Sequence, residues 1–147
     1  MSPETRAAAL VVFMALSLVA ICAPVKPFKS SFSPMLNEHN LERLKHGLGK
    51  LDLDNDLCLY AQNHAESMAK RGRLVHSSMS ELAIASGNGN VAENIAWGQE
   101  SEVEAFDAWM NSSGHRQNIL GKRYTRVGFG VKADDKGRNY WCAVFAG

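Results

Sequence analysis

Trp109-Met110-Asn111-Ser112-Ser113-Gly114-His115-Arg116-Gln117-Asn118-Ile119-Leu120 is the stretch whose reading decides the fold. It sets a large aromatic, small polar residues, a glycine, a histidine and an arginine ahead of two apolar residues. A glycine inside a helix costs roughly 1 kcal/mol relative to alanine, so one continuous helix has no use for Gly114. The sequence predicts one helix ending near Ser112 or Ser113 and a second, short one restarting around His115, capped by one of those serines. His115 then sits in a first helical turn, beside unpaired backbone N–H groups whose dipole disfavours the imidazolium. A neutral imidazole suits a ligand or a general base. It equally suits an ordinary buried histidine, and both readings stand at this point.

The flanks extend the pattern. Ser101-Glu102-Val103-Glu104 reads as a capping box, with Val103, Phe106 and Trp109 or Met110 as the apolar stripe behind it. Beyond Leu120, residues 124–132 alternate, with Val127, Phe129 and Val131 on one side and Gly128 and Gly130 on the other. Asp134-Asp135-Lys136-Gly137 makes a turn, and residues 140–145 return as a second strand. The two glycines would let a helix or loop lie close against their strand.

Upstream, Val91-Ala92-Glu93-Asn94-Ile95-Ala96 reads as one or two helical turns, and its small neighbours point to burial of Glu93, which then needs a partner. Residues 86–90 are turn formers. His76 follows a short apolar run, Leu74-Val75. Leu57, Ala61, His64, Ala65 and Met68 keep a helical period stopped by Gly72, with Asp54 or Asn55 as the cap after a polar loop. His64 reads as a partly exposed member of that helix. An earlier helix opens at Ser33-Pro34, shows Leu36, Leu41, Leu44 and Leu48 as its apolar face, and ends at Gly47 and Gly49. His39, Asn40 and Arg43 lie on it one turn apart, placed to fasten it to something polar, with solvated surface as the default.

The chain has 147 residues and nearly balanced charge, 16 basic against 15 acidic, with no block of one sign. That excludes a nucleic-acid groove from the reading. Residues 7–23 carry no charge and follow a short N-terminus containing Arg6. The run is short for a membrane span and has the layout of a secretory signal, residues 1–23, cut near 22–23. An uncleaved segment would be the only membrane attachment. Residues 24–33 read as a linker, leaving 34–147 as one domain. With Cys22 removed, Cys58 and Cys142 remain as an even pair, a disulfide candidate in an oxidising compartment or two buried thiols.

Taken together, His39-Asn40-x-x-Arg43, His76, Ala92-Glu93-Asn94-Ile95-Ala96, the Trp109–Leu120 stretch and Val127-Gly128-Phe129-Gly130 resemble the CAP superfamily, or SCP-like domains. These include cysteine-rich secretory proteins, venom allergens and pathogenesis-related proteins. The likeness is nearest to the bacterial single-domain branch and covers about Pro34 to Phe145. It implies an α+β fold: a three-layer α-β-α sandwich around a mostly antiparallel sheet, with a shallow cleft holding two histidines and two acidic residues. His76 and His115 match the histidines and Glu93 the first glutamate. Ser112 stands where the second glutamate falls, and Arg116 replaces an aromatic, so venom and plant activities are not carried over.

Two imidazoles and a carboxylate form a recognised donor set for Zn²⁺ or another divalent cation, weakly held. Glu93 is either the third ligand or a partner hydrogen-bonded to a histidine. Ser112, Asn94 and Arg116 are expected to line the cleft, and His39, Asn40 and Arg43 to serve structure. The favoured function is a secreted, periplasmic or extracellular binding module for a cell-surface or extracellular lipid, peptide or protein. One alternative is a metal-assisted hydrolase in which Glu93 and His115 are the catalytic candidates alongside His76. Another is a structural domain with a buried polar network and no ligand.

Overall fold

The structure, a computed structural model, describes residues 32–87 and 89–147. The expected signal segment and residues 24–31 of the expected linker lie outside the described residues. In chain order the elements are α1 (Ser33–Lys45), β1 (Asp52–Leu53), α2 (Asn55–Arg71), α3 (Met79–Ser86), β2 (Val91–Trp97), α4 (Glu102–Met110), α5 (Ser113–Ile119), β3 (Arg126–Ala133) and β4 (Asn139–Ala146).

The four strands lie in the order β1-β3-β4-β2. The β1–β3 pair is parallel and the other two pairs are antiparallel. Strand periodicity divides β4 between two cores. Trp141, Ala143 and Phe145 pack with α1, α4 and α5 through Met35, Phe106, Trp109 and Ile119. Tyr140, Cys142, Val144 and Ala146 pack with α2 and α3 through Leu57, Ala61, Ala65, Met68 and Leu82. The result is the expected three-layer α-β-α sandwich.

The expected close approach at the glycine strand is present. A Cβ on Gly128 would meet the Leu57 carbonyl carbon at 2.1 Å, and one on Gly130 would meet the Gln62 nitrogen at 2.3 Å. Helix α2 therefore lies on these two residues, and it also closes the edge of β3 beyond the short β1. Gln62 donates to the Val131 carbonyl and accepts from its N–H, while Cys58 Sγ accepts the Phe129 N–H. Those bonds occupy backbone groups that would otherwise recruit another strand.

Cys58 and Cys142 are buried free thiols rather than a disulfide. Cys58 is held against Phe129 N, whereas Cys142 donates to Glu93 Oε2 at 3.8 Å. Burial pushes both thiols above their ordinary pKa, which leaves them unreactive.

Four elements differ from the sequence reading or add to it. Helix α1 buries Met35, His39 and Arg43, while Leu41 and Leu44 are 53% and 61% exposed. Its N-cap is Phe32 rather than Ser33, and the Met35 N–H is satisfied from α4 by Glu102 Oε2. Residues 91–97 form strand β2 rather than helical turns, because seven consecutive pairings with β4 outweigh the helix propensity of alanine and glutamate. Residues 79–86 form α3, whose capping box joins Ser78 and Glu81. At α4 only half of the expected box forms: Ser101 Oγ accepts the Glu104 N–H, but the Glu104 carboxylate takes the Glu100 N–H.

Candidate functional site

Strand β2 is the outer strand of the sheet, and its two adjacent polar residues face opposite layers. Glu93 pairs with Val144 and shares the α2 side, whereas Asn94 pairs with Ala143 and shares the α5 side. The chain folds a histidine against each. The segment after α2 brings His76 to Glu93, and α5 brings His115 to Asn94.

On the first side the Glu93 side chain is only 2% exposed, and each of its oxygens is engaged. Oε1 accepts from His76 Nδ1 at 2.8 Å and from the Ser77 backbone N–H at 3.0 Å. Oε2 accepts the Ser77 hydroxyl at 2.6 Å and the Cys142 thiol at 3.8 Å. Nδ1 of His76 is thus the donor to this carboxylate, and in the neutral ring Nε2 carries the lone pair. The His76 ring itself is 58% exposed. A buried carboxylate thus aims a solvent-facing imidazole.

On the second side the expected helix break is present, about two residues earlier than the sequence places it. Helix α4 ends at Met110 and α5 begins at Ser113, with Ser112 at the N-cap position but making no side-chain cap bond. His115 lies in the first turn and is half-buried. Its pKa is lowered, first by burial and then by the charge of His76. Asn94 donates to the His115 carbonyl at 3.0 Å, and Asn118 donates to Asn94 Oδ1 at 2.8 Å. Asn118 also reaches the Glu93 carbonyl at 3.4 Å, tying α5 to the strand that carries Glu93.

Asn94, expected to line a cleft, is fully buried. Ser112 is half-buried and Arg116 exposed. His39, Asn40 and Arg43 lie on α1, in the same layer as α5, and hold the frame. Asn40 exchanges two hydrogen bonds with the Leu51 backbone. Arg43 donates to the carbonyls of Gly49, Ile119, Gly121 and Tyr124, closing the C-terminal end of α5. Among the described residues no three His, Cys, Asp or Glu side chains are arranged to hold a metal ion together.

Sequence reasoning missed His64. Its Nε2 donates to the Val75 carbonyl at 2.8 Å and stands 3.7 Å from Glu93 Oε2. The available signal was its place one turn from Tyr60 on a helix that ends just before His76.

The family described as CAP, cysteine-rich secretory protein family, matches residues 36–145. The chain belongs to the CAP family. YkwD of Bacillus subtilis is 36% identical over 100 residues, covering 62% of this chain and 38% of YkwD. Among solved structures, an extracellular SCP-domain protein of Bacillus anthracis superimposes with TM-score 0.65 at 25% identity, over 84% of this chain and 44% of its own. NaASP2, solved with Zn²⁺, superimposes with TM-score 0.60 at 16% identity, over 77% of this chain and 78% of its own. The chain thus spans less than half the length of these two bacterial relatives. The CAP likeness covers the site elements from α1 to β4.

Proposed function

We propose that this chain is an exported CAP domain acting as a binding module, whose cleft takes a weakly held divalent cation between His76 and His115. The observation carrying this reading is the use of Glu93. Its oxygens are engaged by His76, Ser77 and Cys142, so it orients a ligand rather than serving as one. In its neutral form His76 offers Nε2 as a lone pair, and His115 is biased toward its neutral form. Two neutral imidazoles are suited to Zn²⁺, which when bound would supply a positive anchor for a carboxylate or phosphate of an extracellular lipid, peptide or protein. Export is consistent with the secretory family and with residues 1–23. No helix among the described residues is long and apolar enough to cross a membrane.

The hydrolase reading needs a third ligand or an unengaged general base. The described residues hold no metal-binding trio, and Glu93 is already committed. Calorimetric titration of the protein with Zn²⁺ tests the proposal. Heat that disappears in the His76→Ala, His115→Ala double variant is the expected result. Equal heat in both proteins would end the proposal, and peptide or ester turnover lost in Glu93→Gln would replace it with the hydrolase.

A further inference from the structure

The backbone that delivers His76 is held from outside the segment that contains it. Tyr60 and His64 are one helical turn apart on α2, and their rings stack with centroids 6.4 Å apart and 10° between planes. A carbonyl only accepts, so the 2.8 Å contact between His64 Nε2 and the Val75 oxygen places the His64 proton on Nε2. Val75 immediately precedes His76. Ser77 immediately follows His76. The Ser77 hydroxyl in turn donates to Glu93 Oε2, beside which His64 Nε2 also stands. The carbonyl immediately before an exposed imidazole is therefore held by a side chain of α2, and that helix is seated on Gly128 and Gly130.

We infer that His64 is a positioning residue for the His76–His115 cleft: it fixes the backbone just ahead of His76, and so holds its Nδ1–H on Glu93 and its Nε2 toward the cleft. The inference rests on the binding reading only for the consequence for metal. The geometric part concerns His76 itself. Groups that orient a metal-ligating histidine commonly change affinity 10–100-fold when removed.

The test compares the full chain with His64→Leu, His64→Gln and His64→Phe by two readouts. Long-range ¹H–¹⁵N spectra of the imidazoles at pH 8 report the His76 tautomer, and calorimetry with Zn²⁺ alone reports affinity. The expected wild-type signature is a single Nδ1–H tautomer at His76. His64→Leu should give a mixture of tautomers and bind Zn²⁺ roughly tenfold more weakly. His64→Gln, whose amide can still donate to the Val75 carbonyl, should restore both. An unchanged His76 signature in His64→Leu, or a His64→Gln variant as impaired as the leucine, would overturn the assignment. If His64→Leu fails to fold by circular dichroism, His64→Phe carries the same test, because it keeps the ring stacked on Tyr60 and removes only the donor to Val75. An unchanged signature there would overturn the assignment as well. Absence of Zn²⁺ heat in the wild type would end the metal reading alone. The tautomer shift would still decide whether α2 positions His76.

Discussion

His76 Nδ1 stands 2.8 Å from Oε1 of Glu93, and the same oxygen takes the Ser77 N–H at 3.0 Å. One buried carboxylate thereby fixes both a ring and the backbone that carries it. Glu93→Gln keeps the size but replaces one accepting oxygen with an amide donor, facing either His76 or the Ser77 hydroxyl. We expect a loss of about 1–3 kcal/mol in stability from the unpaired buried groups, together with Zn²⁺ binding weakened 10–100-fold. Urea denaturation and calorimetry measure the two effects separately. A variant as stable as wild type would show that the network is not held by charge.

Arg43 has a comparable part in the other layer. It is 1% exposed, and each of its donor nitrogens ends on a backbone carbonyl: Gly49 at 2.8 Å, Ile119 at 2.8 Å, Gly121 at 2.9 Å and Tyr124 at 3.0 Å. A cation at the C-terminal end of α5 also complements that helix's dipole. Arg43→Met would leave these carbonyls without their donor, at a cost on the order of 4 kcal/mol. Arg43→Lys should recover only part of it, because an ammonium lacks the planar fork. Chemical denaturation of both variants checks the order, wild type above lysine above methionine.

These two residues show how far the sequence could be read. The break before α5, the hairpin after it and the helix on Gly128 and Gly130 were legible because each depends on local chemistry: a cap, a turn or a missing side chain. The buried face of α1 was not. Met35, His39 and Arg43 follow the helical period, but two of the three are polar, so the leucines at 41 and 44 looked like the inward face. Strand β2 was hidden for a related reason. Its alternation sends Glu93 to one layer and Asn94 to the other, and both are buried, so no polar–apolar rhythm appears. His64 acts only through Val75 and Glu93, contacts that depend on the tertiary fold and leave no short-range motif. His76, Glu93 and His115 emerged because the family resemblance supplied the long-range pairing that spacing alone lacks.

The glycines separate positions that look alike in sequence. Gly114 suggested the helix break, yet it lies in the first turn of α5, and a Cβ there would meet nothing within 4 Å. Gly114→Ala is therefore expected to be neutral or to stabilise by about 0.5 kcal/mol through loss of unfolded-state freedom. Gly128→Ala places a methyl group 2.1 Å from the Leu57 carbonyl carbon and 2.3 Å from the Cys58 nitrogen, backbone atoms of a packed helix that cannot turn aside. It should cost about 3 kcal/mol or prevent folding. Thermal melts of the two variants should move in opposite directions, or only Gly128→Ala should move.

Acid sensitivity should originate at His39. The ring is fully buried against Phe106 and Phe129, each with its centroid 5.0 Å away, and Nδ1 donates to the Met35 carbonyl at 2.8 Å. Burial, partly opposed by that hydrogen bond and reinforced by the charge of Arg43, lowers its pKa from 6.5 to about 4. Between those values the unfolded chain binds a proton that the folded chain refuses, so stability rises with pH across the window. The contribution is complete above pH 6.5 and is lost as pH falls through 4. It amounts to about 2 kcal/mol between pH 7 and pH 5. His115, also lowered, acts in the same direction, while burial pushes Glu102 upward and gives it the opposite sign. The carboxylates of Asp54 and Asp134, held low by their hydrogen bonds and arginine partners, lose their contribution only at still lower pH. Urea midpoints measured at pH 7 and pH 5 should therefore separate in the wild type and draw together in His39→Phe. An equally steep dependence in that variant would move the proton uptake to another group, and His115→Gln would then be the next protein to titrate.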